Sequence, residues 1–539
     1  MHRLLFGATI GATMLVSSLS LAVPAGLTAT AVANPSLITA HPVTLTSRRN
    51  VLLIILDDIG SQEIRSYAND LATATRTVSS STGIIDTNSN HTPDGLEDTD
   101  HDGYADGAIS TPKIDSRASA GVRFTNVWSN PVCSPTRAGI YTGLYATHTG
   151  IGFPVGGDAT LHSLPIDIPT LAEQMNSAGS TGKKGFFGKW HLGAEIGMLP
   201  TDRGWNYFAG SLGGELNYYS WDKVVVDETG ARADSTSTSY STGVNIEDAL
   251  TWIGSQSQGW WATVALNAAH KQASGANYID PPSTCLSGAI TGTSDTALFH
   301  KTLECADYYI GQLLTGMNST TLANTTIIFV GDNGTEGAVS QVYSNDRSKG
   351  SVYQGGVHVP LIVADGSVIA GRSSSSYVST VGAVSVHGGI VSNVTHTVDI
   401  FGTIAEIMGI TPASSDAYSL VGWLGASCPV THRTYSFTDG FQYPSAEVQA
   451  LYATLADPAS LTTAEAATLT RTSVKGAIRS TDYKLIYDGS SYHFYQLSND
   501  PFEQSDLGCG STAAAKSLRS TYVTQLRSID SSYPTWTCK

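Results

Sequence analysis

Three predominantly apolar runs constrain the fold of this 539-residue chain more than any other feature. Asn50-Val51-Leu52-Leu53-Ile54-Ile55-Leu56, Trp260-Trp261-Ala262-Thr263-Val264-Ala265-Leu266 and Thr325-Thr326-Ile327-Ile328-Phe329-Val330 lack the in-out alternation of a half-buried strand. Such runs are the pattern of strands buried on both faces of a parallel sheet. Each is followed at once by polar residues: Asp57-Asp58, Asn267-Ala268-Ala269-His270 and Gly331-Asp332-Asn333-Gly334. The C-terminal ends of parallel strands share one edge, where open α/β sheets bind ligands. Carboxylates and an amide gathered there offer hard oxygen donors suited to Ca²⁺ or Mg²⁺. Helical patterns separate the runs, at 111–120 stopped by Gly121, at 169–178, at 298–317 and at 396–408 closed by Gly409. The expected fold class is α/β, with a large mixed, mostly parallel sheet flanked by helices. From about Cys428, stretches such as Ala477-Ile478-Arg479 and Tyr483-Lys484-Leu485-Ile486-Tyr487 predict short antiparallel strands in a smaller C-terminal α+β domain.

Asn130-Pro131-Val132-Cys133-Ser134-Pro135-Thr136-Arg137 sets a cysteine just ahead of a helix. Pro135 suits a first helical turn and Gly143 offers a stop. Cys133 would then face the positive end of the helix, and Arg137, one turn on, could reach the same anion. In Gly188-Lys189-Trp190-His191-Leu192-Gly193 an extended backbone would point Lys189 and His191 the same way, pairing a cation with a proton carrier.

Cys133-x-Pro135-x-Arg137, followed by four residues and Thr142-Gly143, resembles the signature of the formylglycine-dependent sulfatases, and the Gly-Lys-Trp-His-Leu-Gly segment resembles a second motif of that family. Lys349-Gly350 and the following residues to Pro360, and Tyr495 to Glu503 with its Asn-Asp-Pro turn, extend the resemblance from about Asn50 to Leu507. It implies a calcium-dependent sulfatase in which Cys133 is oxidised to formylglycine, whose hydrate attacks sulfur and leaves a sulfated enzyme. His191 would then remove a proton from the second hydroxyl and expel sulfate. Arg137, Lys189 and Lys349 would hold negative charge, while His270 or Lys349 assists the leaving oxygen. Asp57, Asp58, Asp332 and Asn333, with residue 133, would bind Ca²⁺. Two positions depart from the family pattern: Gln272 replaces the proline expected two residues after His270, and His358 stands where arginine is expected.

The net charge of −16, with 14% charged residues, describes an acidic chain without a basic stretch for nucleic acid. Residues 1–33 read as a secretory signal, giving a secreted or periplasmic protein with no stable membrane span, a catalytic domain over 34–427 and a C-terminal subdomain over 428–539. Export makes disulfides possible among Cys285, Cys305, Cys428, Cys509 and Cys538 without fixing their connectivity. The acidic insert 86–109 contains two EF-hand-like spacings, starting at Asp86 and Asp98, either a solvated loop or an additional structural Ca²⁺ site. Residues 235–242 and 372–380 are Ser-rich and read as loops. The expected partners are a sulfated carbohydrate or other sulfate ester and a formylglycine-generating or equivalent maturation enzyme. A phosphoester or phosphonate hydrolase on the same scaffold is one alternative. A noncatalytic secreted carbohydrate-binding protein is another.

Overall fold

Alternate residues of the first apolar run enter two different cores. Val51, Leu53 and Ile55 join Ile328 and Val330 on one side of the sheet, and Leu52, Ile54 and Leu56 join Ile327 and Phe329 on the other. Burial on both faces is why these strands carry no polar alternation. The computed structural model describes residues 50–68, 109–257, 259–273, 277–369, 389–413, 415–424, 432–510 and 512–536. Residues 1–33, expected to be a secretory signal, the insert up to residue 108, Cys428, Cys538, the Ser-rich stretch 372–380 and the expected 427/428 boundary lie outside the described residues.

In chain order the strands are β1 (Asn50–Leu56), β2 (Val122–Phe124), β3 (Val127–Trp128), β4 (Lys184–Lys189), β5 (Tyr207–Ser211), β6 (Trp221–Val226), β7 (Arg232–Ser237) and β8 (Trp261–Ala265). They continue with β9 (Thr325–Gly331), β10 (Leu361–Asp365), β11 (Gly389–Val391), β12 (Thr395–His396), β13 (Ser436–Gln442), β14 (Thr472–Arg479), β15 (Tyr483–Tyr487) and β16 (Tyr492–Gln496). Among the described residues the main sheet has the order β11-β2-β10-β9-β1-β8-β4-β5-β6-β7. The five central strands β9, β1, β8, β4 and β5 run parallel. Register places Leu56 beside Gly331 and Ile55 beside Ala265, so the polar residues after β1, β8 and β9 emerge together. β7 takes in residues 235–237 of the stretch that read as a loop: its side chains are largely exposed, and pairing with β6 at the sheet edge makes it a strand.

β13-β14-β15-β16 form a separate antiparallel sheet. Phe437, Ile478, Leu485 and Phe494 pack against Tyr522, Val523 and Leu526 of helix Ala513–Ile529. The other face presents Ala477, Ile486 and Tyr495 to Trp128, Val352 and Val357 of the main body. Lys484 and Glu503 form a fully buried ion pair at this seam, with Glu503 Oε2 accepting from the Gln354 backbone N–H at 2.7 Å. Phe441, Tyr443, Val448, Leu461 and Ala466 belong to the same apolar cluster as Val51 and Leu53. Cys285 and Cys305 are bonded. Cys509 is also disulfide-bonded, its partner lying outside the described residues. No helix among the described residues is long and apolar enough to cross a membrane.

Candidate active site

Cys133 is the first residue of helix Cys133–Thr142 rather than the residue before it, and all ten residues of the helix are buried. Val132 provides no side-chain cap, so the helix directs uncapped N–H groups and its positive end to the region around Cys133. Gly143 closes the helix with φ 73°, a left-handed conformation suited to glycine. The thiol lies 3.2 Å from His191 Nδ1, and Ser134 Oγ donates to the His191 carbonyl at 2.9 Å. Two contacts therefore fasten the Cys133 turn to the end of β4.

The extended-backbone reason for pairing Lys189 with His191 does not hold. β4 ends at Lys189, and His191 has φ 59°, so the period-two rule stops before it. The two side chains reach the site separately, Lys189 Nζ donating to Asp57 Oδ2 at 2.6 Å while His191 meets Cys133. Asp58 shares the left-handed conformation, with φ 62°. Such backbone costs on the order of 1–2 kcal/mol in a residue with a Cβ and clusters at functional sites.

Carboxylates and cations alternate around this edge. Asp58 Oδ1 accepts from Asn333 Nδ2 at 2.8 Å, and its Oδ2 accepts from Lys349 Nζ at 2.6 Å. The Asp58 backbone N–H donates to Asp332 Oδ1 at 3.2 Å, joining the two strand ends. Arg137 donates through Nε and Nη2 to Asp332 Oδ2, at 3.0 and 2.8 Å, and through Nη1 to the Lys189 carbonyl at 2.7 Å. Arg137 is thus engaged with Asp332 and β4, the pairing a fully buried guanidinium requires. His270 Nδ1 donates to the Lys271 carbonyl at 2.8 Å, leaving Nε2 3.6 Å from Asp58 Oδ2. His358 does not join the site: its Nε2 donates to the Thr125 carbonyl at 2.8 Å and its Nδ1 accepts from Ser61 Oγ at 2.9 Å, a buried structural bridge.

Burial would raise the Asp58 carboxyl, but Lys349, His270 and Lys189 hold it well below the usual carboxylate range. Burial raises Asp332 to about 6, and the adjacent Asp57 charge adds to this against the pull of Arg137. Burial lowers both site histidines: His270 falls to about 4 despite Asp58, and His191 falls well below its ordinary value, with Lys189 and Arg137 adding repulsion. The Cys133 thiol is raised by burial. Both imidazoles are neutral proton acceptors at neutral pH.

Asp57, Asp58 and Asp332 each offer an oxygen to one compact group, the described residues' candidate metal cluster. Asp57 Oδ1 and Asn333 Oδ1 are buried and accept no hydrogen bond among the described residues. Orphaned hard oxygens beside crowded carboxylates fit a hard divalent cation, which would relieve both defects. The Cys133 sulfur stands outside that compact group, on the His191 side. The sequence reading had not included Ser134 or Gly214. A Cβ at Gly214 would lie 2.3 Å from His191 Cε1, so the loop backbone packs directly on the imidazole. The Gly213-Gly214 pair after β5 was the available signal.

The sequence model of the sulfatase family matches residues 49–410. The chain belongs to the sulfatase family. It is 36% identical to mouse arylsulfatase J over 119 residues, covering 22% of this chain and 20% of the mouse protein. With human N-acetylgalactosamine-6-sulfatase it shares 26% identity over 348 residues, 58% of this chain and 60% of the human one. The chain therefore spans less than two thirds of either relative. The fold is similar to that of the PsFucS1 sulfatase from Pseudoalteromonas sp., with a TM-score of 0.61 at 18% identity, covering 91% of this chain and 92% of that one. It is also similar to a protein solved in complex with its substrate D-glucosamine-2-N,6-O-disulfate, with a TM-score of 0.59 at 16% identity, covering 90% and 98% of the two chains.

Proposed function

We propose that this sulfatase-family chain is an exported, calcium-dependent enzyme that hydrolyses sulfate esters of carbohydrates through an oxidised Cys133, with the catalytic region over 34–427 and a C-terminal subdomain over 428–539. The observation that carries the reading is the placement of Cys133 at the head of a buried helix, 3.2 Å from His191 and beside the edge occupied by Lys189, Lys349 and the Asp57-Asp58-Asp332 group. Three carboxylates there face three cationic side chains, Arg137, Lys189 and Lys349. A divalent cation would tip this balance to net positive, which favours a sulfate ester over a neutral substrate.

Asp57, Asp58, Asp332 and Asn333, with residue 133, would hold Ca²⁺, which when bound supplies Lewis-acid polarisation of sulfate oxygens. As formylglycine hydrate, residue 133 supplies an oxygen nucleophile and a second hydroxyl on the same carbon. His191, neutral and within reach of residue 133, accepts the proton whose removal expels sulfate. Lys189 and Lys349 stabilise negative charge, and Arg137 fixes Asp332. His270 Nε2 and Lys349 Nζ both approach Asp58 Oδ2, at 3.6 and 2.6 Å, and one or the other assists the leaving oxygen. The relatives' sulfated sugar substrates support carbohydrate as the class.

The test is expression with and without a formylglycine-generating enzyme, followed by mass analysis of the peptide containing residue 133 and assay of 4-nitrophenyl sulfate and 4-nitrophenyl phosphate. Conversion of Cys133 with sulfate turnover exceeding phosphate turnover is expected. Converted, calcium-loaded protein that cleaves phosphate esters faster would replace this reading with the phosphoester one.

A further inference from the structure

A cavity of about 270 Å³ adjoins the Cys133 turn. Pro131 and Val132, which lead into Cys133, line it together with Gly350, which follows Lys349. The Gly350 N–H donates to the Pro131 carbonyl at 2.9 Å, so the two segments that deliver Cys133 and Lys349 are fastened where they border the cavity. Gln442 of β13 and Lys475 of β14 line it from the small sheet, beside a register shift between Gly440 and Gln442. Phe153 also lines the cavity and is 38% exposed, so part of its ring is open to a ligand there.

The electrostatics of this cavity differ from those of the whole chain. The protein carries a net charge of −16, yet among the described residues no carboxylate lines the cavity and Lys475 is its one ionisable lining side chain. Lys475 is exposed, and no ion pair or side-chain hydrogen bond occupies its ammonium among the described residues. An unpaired cation in a carboxylate-free cleft attracts anions. An exposed aromatic face beside amide and ammonium donors suits a ring with one apolar face and polar substituents. The volume lies just under the roughly 300–1,000 Å³ of drug-sized ligand pockets, which suits one sugar ring.

We propose that this cavity receives the saccharide ring bearing the scissile sulfate, and that Lys475 selects rings carrying a second anionic group, either a carboxylate or a further sulfate. This deepens the sulfatase reading and rests on it. Lys475 is here a specificity residue that would contact the second anionic group and not the sulfate that is cleaved.

The experiment uses converted, calcium-loaded full-length enzyme and a panel of matched hexosamines, each sulfated once or twice, with uronic-acid-containing disaccharides to separate carboxylate from sulfate as the second anion. The measured quantity is the ratio of kcat/KM for the doubly charged substrate to that for its singly charged match. Loss of one hydrogen bond to a charged group should lower this ratio roughly tenfold in Lys475→Ala. Lys475→Arg should restore most of it, and raised salt should reduce it in the parent enzyme. Melting temperatures establish that the variants remain folded. An unchanged ratio in folded Lys475→Ala overturns this inference alone. Absence of sulfate release from every substrate by the parent enzyme overturns the hydrolase reading and this inference with it.

Discussion

Gly214 packs so closely on the imidazole of His191 that an added Cβ would lie 2.3 Å from Cε1 and 2.5 Å from Nε2. Neither ring atom can yield cheaply, because Nδ1 is already held at Cys133 and the His191 backbone is left-handed. Gly214→Ala should therefore displace the imidazole and lower kcat by about a hundredfold, the scale of an ångström-sized misplacement in an active site. Gly213 is exposed and meets no atom closer than 3.9 Å, so Gly213→Ala serves as the control. Equal turnover of 4-nitrophenyl sulfate by the two variants would remove His191 from the proposed role.

Metal binding should be visible without any assay of activity. A ligand present at a hundredfold excess over its Kd stabilises the folded state by about 2.7 kcal/mol. Chelation should lower the melting temperature and Ca²⁺ should restore it. Asp332→Asn keeps volume but removes a charged donor, and it should largely abolish the Ca²⁺-dependent shift. Asp332→Ala is a poorer probe, because it strips Arg137 of its buried partner and costs roughly 3–5 kcal/mol by that route. A melting temperature indifferent to chelator and Ca²⁺ would count against the site.

The strand ends were legible in the sequence because burial on both faces leaves an unbroken aliphatic run, and the polar residues after each run must then share an edge. That logic covers Asp57, Asp58, His270, Asp332 and Asn333. It fails for His191, whose left-handed backbone has no signature in residue type, and for Arg137, whose guanidinium turns to Asp332 and the Lys189 carbonyl. Such contacts join residues far apart in the chain. β7 was illegible for a different reason: an exposed edge strand is fixed by backbone pairing with β6, and Ser235-Thr236-Ser237 carries no apolar alternation. The packing of Leu461 and Ala466 into the main core was equally hidden, since local composition does not reveal which core a helix joins.

Stability should also depend on Asp439. Both its carboxylate oxygens are buried without a hydrogen-bond partner among the described residues, with Arg471, Asp530, His148 and Asp416 as its charged or titratable neighbours. Burial pushes its carboxyl up to about 7, an effect the Arg471 charge only partly offsets. A raised carboxyl keeps its proton in the folded state after the unfolded chain has released it. Its contribution to stability is thus full below the ordinary carboxylate pKa of about 4 and is lost as pH rises toward 7. Asp439→Asn should cancel that loss. The variant should gain stability over the parent on the order of 1 kcal/mol or more at pH 8, and much less at pH 5. Melting curves of both proteins across this range provide the check, and a pH-independent difference would contradict the assignment.

The remaining prediction concerns Cys133 as translated. Burial raises its thiol pKa, and Asp57 and Asp332 oppose ionisation while Lys189 and Lys349 only partly favour it. His191, held neutral by burial, gives the sulfur no cationic partner. An unmodified Cys133 is therefore a protonated thiol at neutral pH, and the thiolate is the reactive form of cysteine. Protein made without a maturation enzyme should fold, melt within a few degrees of the converted form and resist alkylation by iodoacetamide until denatured. It should release no sulfate. Cys133→Ala should likewise fold and release no sulfate, since it removes a small buried group but leaves Lys189, Arg137 and Lys349 with their carboxylates. Cys133→Ser would retain one hydroxyl but lack the second on the same carbon, so sulfate attached to it could not leave by loss of the neighbouring proton to His191. At most one sulfate per enzyme molecule should transfer, seen as a single mass increment without steady turnover. Sustained sulfate release by the serine variant, or by protein whose residue 133 is shown by mass to be a thiol, would rule out the two-hydroxyl route.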